Sequence, residues 1–198
     1  MAAPNLQPSF LPSDLPSGLT YFAGFVTPAE AADLAQKIDA MPWRDDLTRR
    51  VQHYGYLYDY KAKQARREDY LGPLPDFLNA LAQRLHEQGH FKSLPDQVIV
   101  NEYMAGQGIS AHVDCQPCFG EVIASLSLLS PCIMRLHHIR TGQMADLWLK
   151  PASLLILSGP ARHEWTHAIP ARQSDMVAGQ KHPRTRRISL TFREMRFE

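Results

Sequence analysis

Short apolar runs, separated by glycine, proline and polar breaks, fill the C-terminal half of the chain. Runs of this kind at regular spacing are typical of the β-strands of a sandwich or a double-sheet barrel. The pattern therefore predicts a β-rich C-terminal half. The predicted strands are DQVIVNEYM, ISAHVD, EVIASLSLLS, CIMRLHHI, ADLWLK, ASLLILS and RRISLTFREMRF.

The N-terminal half carries helical patterns between two further strand-like stretches, GLTYFAGFV and RRVQHYGYLYDYKAKQARRED. Thr27-Pro28-Ala29-Glu30 combines an N-cap, a proline at the first helical position and a capping-box glutamate. This combination predicts a helix through AEAADLAQKIDAM. A second helix is predicted in PDFLNALAQRLHEQG, where apolar residues recur at helical spacing and Gly89 closes the segment.

These patterns predict an α+β fold with a mainly β core. Residues 1–18, which contain many prolines and small polar residues, are expected to form an extended or disordered arm. Residues 19–198 are predicted to form one domain, with helices and a lid within 19–95 and the β core within 96–198. The lid is expected at residues 44–70, and the helices are expected to pack against one sheet.

Composition narrows the class of protein. The chain has 198 residues, a formal net charge of +1 and 44% hydrophobic residues, as expected for a soluble enzyme rather than a strongly basic nucleic-acid binder. No apolar run approaches the roughly 20 residues of a membrane-spanning helix, and the N-terminus lacks the pattern of a signal peptide. Three cysteines argue against a disulfide framework and favour a reducing, cytoplasmic location. We expect a monomer with no membrane contact.

His163-Glu164-Trp165-Thr166-His167 matches the zinc-peptidase pattern H-E-x-x-H. That pattern works on a helix, where residues four apart share one face. Gly159-Pro160 and Pro170 enclose the motif, so a long active-site helix does not fit between them. The context therefore argues against a peptidase.

A second histidine motif, His112-Val113-Asp114, lies at the end of a predicted strand. In a strand, residues i and i+2 project to the same face, so this imidazole and this carboxylate are expected to point together. One more histidine would complete a 2-His-1-carboxylate triad, which leaves three positions open on an iron(II) ion. By itself, H-x-D is a weak signal, because most such pairs are structural or lie on the surface.

The last predicted strand strengthens this signal. Alternation separates a polar face (Arg187, Ser189, Thr191, Arg193) from an apolar face (Ile188, Leu190, Phe192). If the polar face points inward, its arginines need anionic partners, and a small dicarboxylate suits their planar forks. A solvated outer face is the alternative.

From residue 97 to residue 197 the chain resembles the AlkB-like iron(II)/2-oxoglutarate-dependent dioxygenases. The motifs that carry this resemblance occur in order and at family-like spacing: NEYMAGQGISAHVD, SLSLLS, SGPARHEWTHAI and RRISLTFR. FGEVIASLSL and Trp165-Thr166-His167 are most similar to the branch containing the tRNA-modifying animal members. The resemblance implies a double-stranded β-helix (jelly-roll) core with a nucleotide-recognition lid.

The same resemblance implies the cofactors and the residues that bind them. Fe(II) would be held by His112, Asp114 and His167, with 2-oxoglutarate as cosubstrate and O2 as oxidant. Arg187 would pair with the distal carboxylate of 2-oxoglutarate, while Arg193 would lie near its other end and take part in catalysis. The other implied cosubstrate contacts are Asn101, Tyr103 and Ser189.

The implied substrate is a nucleic acid with a modified base, RNA or tRNA or a single strand in preference to duplex DNA. Gln116 stands where the DNA-repair prototype has an acidic residue, which argues against repair of cationic bases. Tyr56 matches a lid tyrosine, Arg49 lies nearest to the missing lid tryptophan, and Arg162 matches a family arginine near the site. Tyr58, among several interleaved tyrosines, is expected to supply a stacking surface beside the basic clusters of the lid.

Two other functions remain open on the sequence. The same iron chemistry could oxygenate a protein side chain or a small molecule, and the fold could be a binding module without turnover. The complete triad and both arginines argue against the second. Cys115-x-x-Cys118 is a weak zinc or redox signal, because no second pair accompanies it, and we expect both thiols to lie in a loop.

Overall fold

The computed structural model describes residues 14–45 and 47–197. Most of the arm predicted at residues 1–18 lies outside these residues. The remaining part, from residue 14 onward, lies against the domain, where the backbone N–H of Ala161 donates to the Ser17 carbonyl at 3.0 Å. The boundary of the arm stays a prediction for the rest of the segment.

The part of the chain that is described contains twelve β-strands and three α-helices. No helix among these residues is long and apolar enough to cross a bilayer. The helices are α1 (Pro28–Asp39), α2 (Asp76–Glu87) and α3 (Gly159–His163). The strands are β1 (Leu19–Phe22), β2 (Arg50–Tyr54), β3 (Gln97–Tyr103), β4 (Ile109–His112), β5 (Phe119–Leu129), β6 (Cys132–His138), β7 (Met144–Leu149), β8 (Ser153–Ser158), β9 (Trp165–Ile169), β10 (Ser174–Val177), β11 (Gln180–Pro183) and β12 (Arg187–Met195).

The first two helices lie in the predicted segments, and each ends two residues before its segment does, at Asp39 and at Glu87. The Thr27 hydroxyl accepts from the Glu30 backbone N–H at 3.1 Å, and the Glu30 carboxylate accepts from the Thr27 N–H at 2.8 Å. This reciprocal capping box satisfies two backbone donors at the start of α1. Gly89, with φ +75°, follows the end of α2.

Two antiparallel sheets form the body of the domain. One has six strands in the order β1-β8-β5-β12-β3-β2, and the other has four in the order β4-β9-β6-β7. Strands β10 and β11 form a separate hairpin. The predicted α+β class with a mainly β core is confirmed.

Strand β12 lies between two hydrophobic cores. Its apolar residues Ile188, Leu190 and Phe192 are buried in a core that also contains residues of α1 and α2. A second core contains Phe119, Ile123 and residues of the four-stranded sheet, and so lies between the two sheets. The helices thus cover one face of the six-stranded sheet, and the opposite face is left for the site.

Three segments differ from the predictions made by pattern alone. The polar hairpin β10–β11 was not predicted, because its strands show no apolar alternation. Strand β9 was not predicted from the pattern, because its first three residues belong to the H-E-x-x-H match. In the described part of the predicted lid, β2 is the one regular strand and Arg67–Asp69 form a short 3₁₀ helix. Isolated bridges pair Tyr56 with Tyr70 and Asp59 with Gln64.

Candidate metal centre and cosubstrate cavity

Two antiparallel neighbours bring the two predicted histidines together. In the pairing of β4 with β9, His112 lies directly opposite His167, and their ring centroids are 4.4 Å apart. The Nε2 atoms of these histidines lie 3.5 Å and 3.7 Å from the same oxygen, Oδ1 of Asp114. Among the described residues, this is the only group of three or more potential ligands close enough to share a metal ion.

Asp114 reaches this position after the strand has ended. Strand β4 stops at His112, so alternation alone does not orient the carboxylate. Its second oxygen, Oδ2, accepts from Nε of Arg193 at 2.9 Å, and its backbone carbonyl accepts from Arg162 at 2.9 Å. Burial alone would raise the pKa of Asp114, but Arg193, together with His112 and His167, holds it well below its usual value. The group is therefore a carboxylate at neutral pH.

Both imidazoles turn Nε2 toward Asp114. Nδ1 of His112 lies 2.8 Å from the Ser110 carbonyl, to which it donates, so Nε2 is the nitrogen directed at the carboxylate. Burial lowers the pKa of His167 to about 4, so its ring is uncharged at neutral pH. Neutral imidazole is the form that binds a metal ion.

The H-E-x-x-H motif is divided between two elements. Helix α3 ends at His163, and His167 lies in β9. Nε2 of His163 pairs with Glu121 at 2.9 Å, away from the His-Asp-His group. His163 and His167 therefore do not share a helix face, and the arrangement does not fit a zinc peptidase, as predicted.

The loop after Asp114 contains a disulfide bond that the sequence analysis did not predict. Cys115 and Cys118 form a disulfide, so the expectation from the cysteine count is wrong for this pair. An odd total says nothing about a local pair three residues apart. Both residues lie in the loop between β4 and β5, as predicted, and Cys132 is a buried free cysteine.

A cavity of about 1000 Å³ opens beside the His-Asp-His group. Strands β3 and β12 supply one wall, where Tyr103 is paired with Arg187 and Asn101 with Ser189. The polar face of β12 thus points inward, toward the second sheet. The residues predicted for the cosubstrate that line this cavity are Asn101, Tyr103, Arg187, Ser189 and Arg193.

The residues present fit the ion and the cosubstrate that the sequence implies. Two imidazoles and one carboxylate are the ligand set of non-haem iron(II) oxygenases. Arg187 is only 3% exposed, donates to the Ser127 hydroxyl at 2.9 Å, and has no carboxylate partner within the described residues. Its buried Nε also lacks a hydrogen-bond partner there. A buried guanidinium of this kind is suited to an incoming carboxylate.

The predicted substrate residues separate into two groups. Arg49 and Tyr58 line the cavity. Tyr56, Gln116 and Arg162 are not among its described lining residues. The Tyr56 ring packs against Tyr70 and Phe197, and the exposed Gln116 amide lies 3.4 Å from the His163 carbonyl.

Arg162 has a different position from the one expected of a substrate contact. Its side chain is buried and donates to the carbonyls of Asp114 and Cys115 at 2.9 Å and 3.2 Å. It therefore holds the backbone of the loop that carries the carboxylate.

Two polar residues of the site were missed from the sequence. Gln97 is fully buried and accepts from Arg193 at 3.1 Å through Oε1, and Ser127 accepts from Arg187. Gln97 lies four residues before Asn101 on β3, so period-two alternation from Asn101 is the signal that would have found it. Ser127 lies two residues after Ser125 and alternates with Leu126 and Leu128, so the same period-two pattern in β5 is the signal that would have found it.

Two sheets enclosing a His-Asp-His group beside an arginine-lined cavity define a non-haem iron(II) oxygenase. Residues 18–193 match the family model of the 2OG-Fe(II) oxygenase superfamily. The chain belongs to the AlkB-like members of this superfamily, which use Fe(II), 2-oxoglutarate and O2, and it is a dioxygenase.

Similar proteins support this assignment. An alkylated DNA repair protein ALKBH8 homolog of Arabidopsis thaliana is 36% identical over 90% of this chain, and tRNA (carboxymethyluridine(34)-5-O)-methyltransferase alkbh8 of Xenopus tropicalis is 33% identical over 94%. This chain spans 58% and 33% of the lengths of these relatives. The solved structure of OsALKBH1 is similar in fold, with a TM-score of 0.64 and 17% sequence identity. The match covers 91% of this chain and 98% of the OsALKBH1 chain. The predicted jelly-roll fold is confirmed.

Proposed function

We propose that this dioxygenase demethylates or hydroxylates modified nucleobases in RNA, tRNA or single-stranded nucleic acid. The observation that carries the proposal is the set of residues from the predicted lid that line the cavity. Tyr58 and Tyr60 from the predicted lid line the cavity together with Arg49 and Lys63. Aromatic rings beside cationic side chains form a sequence-tolerant surface for bases and phosphates.

The position of the His-Asp-His group inside the cavity restricts the form of a nucleic-acid substrate. A base inside a duplex cannot reach a buried metal centre, so the substrate must be unpaired or flipped out of its stack. Unstacking costs least in single strands and RNA loops. Tyr58 and Tyr60 are in edge-to-face contact, with ring centroids 5.2 Å apart, and offer π surfaces to such a base.

The chain's own side chains have separate tasks in this proposal. His112, Asp114 and His167 would hold Fe(II), and Arg193 would keep the Asp114 carboxylate charged and oriented. Arg187, with Asn101, Tyr103 and Ser189, would orient 2-oxoglutarate. When bound, iron, cosubstrate and O2 together supply an oxidant that removes hydrogen from a substrate carbon. An oxidised N-methyl group then leaves as formaldehyde, whereas a stable carbon keeps its hydroxyl.

The names of two relatives mention nucleic acids, which supports the choice of polymer. The plant relative is called a DNA repair protein and the frog relative a tRNA methyltransferase. Because this chain covers only part of each, the activity of those whole proteins is not transferred to it.

Turnover measurements test the proposal. Purified enzyme with Fe(II) and 2-oxoglutarate is incubated with total tRNA, methylated single-stranded RNA or methylated single-stranded DNA. We expect one of these polymers to stimulate succinate formation and to show a loss of methyl or a gain of oxygen in mass spectra of its nucleosides. If none stimulates succinate formation in an enzyme that does turn over 2-oxoglutarate, the nucleobase proposal is wrong.

A further inference from the structure

Arg49 has an unusual environment in the cavity wall. It lies directly before β2, and its Nε donates to Oδ1 of Asn101 at 2.8 Å. Its guanidinium carbon is 5.7 Å from the ring centroid of Tyr60 and 5.9 Å from that of Tyr103. The amide oxygen and the two π faces hold the group in place. Its two terminal nitrogens have no hydrogen-bond partner within residues 14–45 and 47–197.

The cavity wall carries an excess of positive charge. Among the described residues that line it, Asp114 is the one carboxylate, and Arg193 already pairs with it. Arg49, Lys63 and Arg187 remain without a carboxylate in the wall. Fe(II) and the 2-oxoglutarate dianion would neutralise each other, so their binding leaves this excess in place. A partly desolvated guanidinium without an anion is unfavourable, so the substrate is expected to bring a negative charge.

Arg49 and the cosubstrate arginine, Arg187, both lie near the Tyr103 ring but differ in burial and in their other neighbours. Arg187 is buried, with Ser127 and Tyr103 as neighbours on the inner side of the wall. Arg49 is half-buried and is covered by Tyr60, which belongs to the predicted lid. The exposed Lys63 lines the same cavity from the lid. Arg49 thus lines the cavity beside two lid residues, Tyr60 and Lys63.

We propose that Arg49 binds an oxyanion of the substrate, and so selects a modified nucleotide that presents one. This inference rests on the proposed function and adds a specificity determinant to it. A planar fork with two free N–H₂ groups matches the paired oxygens of a phosphate or a carboxylate. The oxyanion is either the phosphate flanking the modified nucleotide or a carboxylate carried by its base.

Neutralising the substrate's charge tests this assignment. The probes are single-stranded oligonucleotides with one modified base. In one pair the flanking phosphates are compared with methylphosphonates, and in another a carboxylate on the base is compared with its methyl ester. Binding is measured by fluorescence anisotropy in the presence of Mn(II) and 2-oxoglutarate, which support binding without turnover. The proteins are the wild type, Arg49→Gln, Arg49→Lys and, as a control, Lys61→Gln, an exposed lid cation outside the described cavity wall.

We expect neutralisation in one of the two pairs to weaken binding to the wild type by about tenfold, or about 1.4 kcal/mol. Arg49→Gln should bind the charged probe about as weakly as the wild type binds the neutral one, and should lose little more on neutralisation. Arg49→Lys should retain part of the effect, and Lys61→Gln should keep all of it.

Four outcomes overturn the inference, and those that involve turnover are measured with Fe(II) in place of Mn(II). Equal losses in the wild type and Arg49→Gln would show that another residue meets the anion. A higher KM for 2-oxoglutarate in Arg49→Gln, with unchanged oligonucleotide binding, would make Arg49 a cosubstrate residue. Failure of the wild type to bind or turn over any probe would remove the proposed function as well, whereas turnover without an Arg49 effect would remove this inference alone.

Discussion

Arg193 connects three parts of the site at the residue scale. Its Nε donates a hydrogen bond to Oδ2 of Asp114, and one terminal nitrogen donates to Oε1 of Gln97. Its guanidinium carbon lies 4.7 Å from the ring centroid of Phe119. The side chains of Arg193 and Asp114 are 9% and 5% exposed. A carboxylate at that depth depends on its counter-charge, because water cannot replace it.

Arg193→Gln should therefore destabilise the metal-free protein by about 3 to 5 kcal/mol. A divalent ion bound at Asp114 would supply a new counter-charge, so Mn(II) should reduce the loss. Urea unfolding in EDTA and in Mn(II) measures both values. Arg187→Gln is the matched control, since its hydrogen bond is to the neutral Ser127 hydroxyl. Equal and metal-independent losses in the two variants would contradict this account of Arg193.

Sequence reasoning from single residues reached only part of the site. Alternation correctly placed the arginines of β12 on one face. It did not justify Asp114, which lies beyond the end of β4 and is oriented by Arg193 and Arg162. His167 was found through family resemblance, because its approach to His112 depends on the pairing of two strands far apart in the chain.

At the scale of elements, Gly55 fixes the point where β2 ends and the part of the predicted lid that follows this strand begins. Its φ is +76°, and a Cβ built there would lie 1.8 Å from the Asp96 carbonyl oxygen. That neighbour is backbone directly before β3, so it cannot turn aside as a side chain could. The lid therefore leaves the sheet by a close backbone contact that only glycine allows.

Gly55→Ala should lower the free energy of unfolding by about 3 kcal/mol, because strain and overlap add together. Gly72→Ala is the control: its φ is +108°, but a Cβ there meets no atom within 4 Å, so only strain of about 1 kcal/mol applies. Chemical denaturation measures both. Equal losses would show that the Asp96 contact does not constrain the lid.

The elements also show which patterns can be read from sequence. Capping chemistry located α1, a short apolar run located β3, and alternation located β12. The hairpin β10–β11 has no such pattern, since it is held by a buried ion pair in which Asp175 accepts from Arg184 at 2.6 Å and 2.8 Å. A strand whose partners are charged gives no apolar signal for periodicity to detect.

At the scale of the whole molecule, a charged network joins the helical layer to the sheet that carries the site. Glu102 of β3 accepts from Arg50 and from Arg186 at 2.6 Å each, and Arg186 also pairs with Asp39 of α1. The hydrogen bond from Arg50, reinforced by Arg186, lowers the pKa of Glu102 in the folded protein. A lowered folded pKa means that the network's stabilisation is complete above the unfolded value of about 4.5 and is lost as pH falls through the folded pKa.

Glu102→Gln should therefore cost about 1 to 2 kcal/mol at pH 7, since both arginines are partly exposed. The difference from the wild type should shrink as pH falls below about 4.5. Urea unfolding across this range checks the sign. The exposed Glu87→Gln should stay within about 0.5 kcal/mol of the wild type throughout. A Glu102→Gln deficit that grows on acidification would contradict the network.

The proposed chemistry depends on one metal ion held between the two sheets. Its most direct test is titration of the metal-free protein with Mn(II) in the presence of 2-oxoglutarate, followed by calorimetry. We expect a single ion to bind per chain. Binding should be weaker by more than about 100-fold in Asp114→Ala and His167→Ala, and unchanged in His163→Ala, whose side chain pairs with Glu121 instead. Wild-type affinity in Asp114→Ala, or its loss in His163→Ala, would contradict the assigned centre.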